Sequence, residues 1–115
     1  MSTARGFPLA RVRDAAPLFA ALGDPTRLAL VLLLSSGGPA SIAGLAGGVD
    51  VSRQAVTKHL HVLEDAGLVR GFRSGREHVW ELEPKRLATA QDYLARIDAQ
   101  WDAALDRLEA FLEEG

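Results

Sequence analysis

The sequence contains no cysteine. Disulfides and thiolate-ligated metal sites are therefore excluded, while the compartment is left to other signals. It also lacks a long apolar run. The longest, LALVLLL at 28–34, falls far short of the roughly 18 residues of a membrane span. The N-terminal MSTARGFPLARVRD has no long apolar core after its basic residues, so no secretory leader is expected. No membrane association is expected, and the cytoplasm is the expected location. Net positive charge is missing as well, at −2 over 115 residues. Taken whole, that balance argues against a polyanionic partner.

The charge is unevenly placed, however. Residues 51–80 carry five basic groups (Arg53, Lys58, Arg70, Arg73, Arg76) against three acids (Glu64, Asp65, Glu77), or +2 before the histidines. Residues 87–115 carry two (Arg96, Arg107) against seven acids (Asp92, Asp98, Asp102, Asp106, Glu109, Glu113, Glu114), or −5. A polyanion is thus expected to meet the middle of the chain only. The length suits a single domain with a modest core, and no internal repeat or interdomain linker is visible.

Along the chain the pattern is mostly helical. Asp14 can cap a first short helix in which Leu18, Phe19 and Leu22 recur at helical spacing, and Gly23 stops it. Asp24-Pro25 restarts it, with a carboxylate for the free first-turn amides and proline at the first helical position. The second helix, PTRLALVLLLSS, is apolar nearly all round and reads as buried. Gly37-Gly38-Pro39 ends it. A third helix from about Ser41 places Ile42, Leu45 and Ala46 on one face. Its glycines at 44, 47 and 48 each cost roughly 1 kcal/mol relative to alanine. After GGVDV, Ser52 caps a fourth helix that ends at Gly67.

Beyond it the period falls to two. LVRGFRSGREHVWEL reads as two strands joined at Ser74-Gly75, with His78, Trp80 and Leu82 on one face. From Pro84 or Lys85 the helical period returns. The expected divisions of a single domain over 1–115 are two helices over 14–36, a helix-turn-helix over 41–67, a wing over 68–83 and a last helix over 85–113. The fold class expected is mainly α with a small β-hairpin, a winged helix-turn-helix.

The fourth helix carries the functional reading. At about 100° per residue, Val56, Leu60 and Leu63 share one side, and Gln54, Thr57, Lys58 and His61 share the other. A solvated helix face would normally mix Glu and Lys at i, i+4, yet acids are scarce on this arc before Asp65. In the major groove a glutamine can pair with an adenine edge and a lysine with guanine acceptors. A threonine can place its methyl against thymine. Arg73 and Arg76, flanking the hairpin turn, need only find phosphate. Ser52, Arg53 and Ala55 complete the expected contact set at the start of the helix. The competing use of such a fold is a protein–protein interaction module without specific DNA binding.

Catalysis is not expected. His59 and His61 point about 200° apart on one helix, so they cannot share an ion. No serine–histidine–acid set is present, and GLAGGVD lacks the lysine and spacing of a phosphate loop. No catalytic residue, metal or cofactor is assigned.

ALGDPTRLALVLLL (21–34), LAGGVDVSRQAVTKHLHVLEDAGLV (45–69) and RGFRSGREHVWEL (70–82) together resemble the ArsR-type winged-helix transcriptional repressors. The resemblance covers about residues 14–113. It implies a homodimeric cytoplasmic repressor on an imperfect palindrome. Positions 54, 55, 57, 58 and 61 would face the groove, and Arg73 and Arg76 would lie at the wing. His59 matches a family histidine at the core margin, a structural role. Family metal sensors use cysteines in the third helix, where this chain has SIAGLAGG. Others use Asp and His pairs across the last helix, where it has Asp92, Asp98, Asp102 and Asp106 but no histidine. The chain therefore resembles the metal-independent branch.

The last helix is expected to dimerise. Leu87, Ala90, Leu94, Ile97, Trp101, Ala104, Leu108 and Phe111 recur at alternating spacings of three and four, a coiled-coil-like seam. A helix over 86–113 runs roughly 42 Å, against about 30 Å for a small domain. Trp101, Leu105, Leu108, Phe111 and Leu112 would then face water in a monomer. A second copy is the expected cover, packed also on Leu18, Phe19 and Leu22.

Overall fold

Asp24 opens a helix at Pro25 as its sequence context requires. In the computed structural model, which describes residues 9–114, its Oδ2 accepts the amides of Thr26 (2.9 Å) and Arg27 (3.1 Å). Pro25 takes the first helical position, where no amide is needed. This cap separates α1 (Leu9–Leu22) from α2 (Pro25–Gly37). There follow β1 (Ala40–Ser41), α3 (Ile42–Ala46), α4 (Arg53–Asp65), β2 (Val69–Ser74), β3 (Glu77–Leu82) and α5 (Pro84–Glu114). Most of the N-terminal segment read for a leader lies outside the described residues.

The order of helices and strands is the expected one, with four differences. First, α1 starts at Leu9, five residues before Asp14, so Asp14 is not its cap. Arg11 and Arg13 are good helix formers and carry the helix backwards. The Asp14 carboxylate instead accepts Nη1 of Arg86 on α5 at 3.0 Å, and its carbonyl accepts Nη2 at 3.0 Å. Second, α2 is buried on one face only. Leu30, Val31 and Leu34 are buried, but Leu28 and Leu32 are 45% and 61% exposed, because α1, α4 and β3 pack against the same side. Third, the sheet has three strands in the order β1-β3-β2. Ala40 pairs with Trp80 and Ser41 with Val79, a strand too short to show in the sequence. Fourth, the hairpin turn is Gly75-Arg76. Ser74 pairs with Glu77 in the last register position, and Gly75 takes φ 64°, a conformation in which glycine has no steric penalty.

The core gathers Leu18, Leu30, Leu45, Val56, Leu60, Leu63, Leu68, Val69, Trp80 and Ala90, so all five helices and strands β2 and β3 contribute to it. Leu18 is 0% exposed. It belongs to the core of the chain itself and has no surface left for a partner, contrary to the sequence expectation. Phe19 and Leu22 are half-buried, and the Phe19 ring meets Tyr93 of α5 edge-on at 6.2 Å.

Only the first turns of α5 join this core, through Leu87, Ala90 and Tyr93. At about 1.5 Å per residue its 31 residues span roughly 46 Å, and the molecule is drawn out to 67 × 28 × 20 Å. Leu94, Ile97, Trp101, Leu105, Leu108, Phe111 and Leu112 are all exposed, Trp101 at 63% and Phe111 at 71%. No single helix among the described residues is long and apolar enough to cross a membrane.

Candidate nucleic-acid interface

Ser52 fixes where α4 starts. Its backbone is extended, its Oγ accepts the Ala55 amide at 3.1 Å, and its carbonyl accepts the Val56 amide at 2.9 Å. The hydroxyl proton is left to donate outward. Val56, Leu60 and Leu63, at helical spacing, are fully buried, so the opposite face of α4 turns to solvent. Arg53, Gln54, Lys58 and His61 are exposed there, with Ala55 and Thr57 half-buried. The Thr57 hydroxyl donates to the Arg53 carbonyl at 2.9 Å, which holds its rotamer.

The two histidines of α4 have different surroundings. His59 Nδ1 lies 3.3 Å from Arg27 Nη1 and 3.9 Å from Asp24 Oδ2. Arg27 also donates through Nε to the Ala21 carbonyl at 2.7 Å. His59 thus ties α4 to the start of α2, the structural role expected of it. The Arg27 amide holds the Asp24 carboxyl below its ordinary range. The charges of Arg27 and His59 and the Thr26 amide act in the same direction, and partial desolvation opposes them. His61 is on the outer face, with Nδ1 3.5 Å from Glu64 Oε1. Its ring meets Trp80 edge-on at 5.6 Å, while His78 stacks on Trp80 at 4.8 Å.

The wing arginines are not equivalent. Arg70 Nε donates to Glu81 Oε1 at 2.6 Å across the strand pair, and its guanidinium lies over the Phe72 ring. Arg73 and Arg76 are exposed, and the described residues offer neither of them an acid partner. The structure therefore leaves Arg73 and Arg76 open to an anion, and occupies Arg70.

Glu64, Gly71, Trp80 and His78 join α4 to the wing and were not among the expected site residues. Glu64 Oε2 accepts the Gly71 amide at 3.2 Å. A glycine inside a strand pattern hints at such a close approach, but its partner is set by packing. No group of three or more potential metal ligands occurs among the described residues.

A helix-turn-helix domain family model matches residues 22–71, from the end of α1 into β2. The chain is 41% identical over 85 residues to the HTH-type transcriptional regulator Rv2034 of Mycobacterium tuberculosis, covering 74% of this chain and 76% of that one. It is 32% identical over 95 residues to the arsenical resistance operon repressor of Escherichia coli, covering 83% and 79%. The chain belongs to the ArsR family of helix-turn-helix transcriptional regulators. An ArsR-like transcriptional regulator from Rhodococcus sp. RHA1 superposes with a TM-score of 0.71 at 35% identity, over 87% of this chain and 93% of that one. As an ArsR-family member the protein is a DNA-binding transcriptional regulator and not an enzyme.

Proposed function

We propose that the protein is a repressor that binds a palindromic promoter operator as a homodimer. The observation that carries this reading is the outer face of α4. It presents Gln54, Lys58 and His61 to solvent from a helix whose other face is anchored by three fully buried side chains. Gln54, Thr57, Lys58 and His61 read base edges, Ala55 faces the groove beside them, and Ser52 and Arg53 complete the contact set at the start of the helix. Arg73 and Arg76 neutralise phosphates, which sets register without reading sequence.

One such helix reads few bases, and a twofold pair places two of them in successive major grooves about 34 Å apart. The exposed stretch of α5 supplies the surface for pairing. Ile97, Trp101, Leu105, Leu108, Phe111 and Leu112 form the seam, with Phe19 and Leu22 at its edge and Leu18 beneath them in the core. Burying a large apolar side chain is worth roughly 1.5–3 kcal/mol.

The metal-independent reading rests on residue types. There is no cysteine in the chain and no histidine on α5, so the soft and borderline ligands of a tight Zn²⁺ site are lacking. Selection of binding sites from a randomised duplex library tests the operator. Two inverted half-sites spaced by one helical turn are expected, and binding without base preference would defeat the reading.

A further inference from the structure

We propose that Glu64 is a positioning residue for sequence reading: the wing holds its carboxylate, and the carboxylate fixes which nitrogen of His61 meets the DNA. This rests on the reading that His61 enters the major groove. The two oxygens of Glu64 face two different elements. Oε2 accepts the amide of Gly71 on β2 at 3.2 Å, and Oε1 lies 3.5 Å from Nδ1 of His61 on α4. Strand β2 is at the edge of the sheet, where the amides that point away from β3 lack a strand partner. The Gly71 amide therefore serves as an anchor for the side chain.

The rest of the pocket around His61 follows from the size of residue 71. A Cβ on Gly71 would lie 2.5 Å from His78 Nε2 and 3.1 Å from Trp80 Cζ3. Without one, His78 stacks on Trp80 and the same indole meets His61 edge-on. The imidazole of His61 is thus bounded by an aromatic ring and, at Nδ1, by a carboxylate.

A neutral imidazole has one donor and one acceptor nitrogen, and the partner at one nitrogen decides the role of the other. A carboxylate only accepts, so in the neutral ring it favours the proton on Nδ1, facing Glu64, and leaves Nε2 as an acceptor. In the major groove an acceptor selects an amino group, adenine N6 or cytosine N4, against the acceptors of guanine and thymine O4. Lys58, three residues earlier, only donates and makes the opposite choice. The Gly71 bond brings the wing into this selection, because a displaced wing withdraws the acceptor from His61.

Glu64→Gln tests the arrangement. It keeps an oxygen for Gly71 and offers an amide N–H to His61, which makes Nδ1 the acceptor and Nε2 the donor. Nitrogen-15 NMR of the imidazoles, above the range in which histidines titrate, reads this without DNA. The proton is expected on Nδ1 in the wild type and on Nε2 in the variant. In site selection, the preferred base at one position per half-site is expected to change from one offering an amino group to one offering an acceptor, by about tenfold in relative affinity. The thermal midpoint is expected to stay at its wild-type value. In a His61→Ala background, Glu64→Gln is expected to leave base preference unchanged. A wild-type His61 protonated on Nε2, or a Glu64→Gln protein weakened on all duplexes alike, overturns the proposal. A wild type with no base preference at all defeats the proposed reading by α4 instead, and the tautomer measurement still decides the role of Glu64.

Discussion

Arg70 and Glu81 face each other across the β2–β3 pair, with Nε 2.6 Å from Oε1. The bond sorts the wing's three arginines by availability. Arg76→Ala is expected to weaken all duplexes alike and to lower the salt slope by roughly one unit per half-site. Arg70→Ala is expected to leave that slope near its wild-type value. Titrations over a range of salt concentrations separate the two, and equal slopes for both variants would show that the ion pair opens on DNA.

Lys58→Ala removes a donor from the open face of α4. A loss of about 1–3 kcal/mol on the selected site is expected, with relaxed preference at one position. Competition between selected and random duplexes checks it, and equal loss on both would reduce Lys58 to a phosphate contact.

Leu108 and Leu18 are both leucines at helical spacing, but one is 53% exposed and the other 0%. Leu108→Asp is expected to yield a folded monomer with unchanged helical content and no tight operator binding. Leu18→Ala opens a cavity in the protomer, with a stability loss of about 2–5 kcal/mol. Sedimentation at micromolar concentration together with circular dichroism distinguishes these outcomes. A wild-type monomer of 12.3 kDa in that experiment would remove the dimer and the palindrome together.

Acid should loosen the α1–α2 corner. The Asp24 carboxyl is held below its ordinary value near 3.8, first by the Arg27 amide. The unfolded chain therefore takes up this proton at higher pH than the folded one. Its stabilising effect is fully present above that ordinary value and is lost as pH falls through the lowered one. Asp24→Asn, which retains a capping side chain, is expected to show a flatter stability profile in that acid window than the wild type. Denaturant titrations across the window measure the difference.

Metal should matter little. Neither EDTA nor micromolar Zn²⁺ is expected to change operator affinity, and a tenfold shift without precipitation would place the protein among the metal sensors.

What could be read from the chain was what is local. Asp24-Pro25 and Ser52 announce their helices because a cap bonds to amides two or three residues away. The buried face of α4 was legible because Val56, Leu60 and Leu63 recur every three or four residues. Asp14 misled because its carboxylate is used 72 residues further on, by Arg86. Strand β1 was invisible because two residues owe their extended form to Trp80 and Val79, not to their own pattern. Leu18 shows the limit of periodicity. Spacing marks an apolar face, but it does not say whether the same chain or another covers it. The role of Glu64 was not legible, since its bond to Gly71 exists only once the wing has folded back on α4.

If the overhanging end of α5 pairs as proposed, it makes concentration part of the protein's behaviour. In the proposed dimer, the apolar seam is satisfied only when two chains meet, so stability and DNA affinity obey mass action. The melting temperature should rise with protein concentration. Where chains are scarce, operator occupancy should follow the square of their number, and where they are abundant, the first power. Small changes in synthesis or degradation would then switch a weakly expressed promoter more sharply than any single-chain reader could.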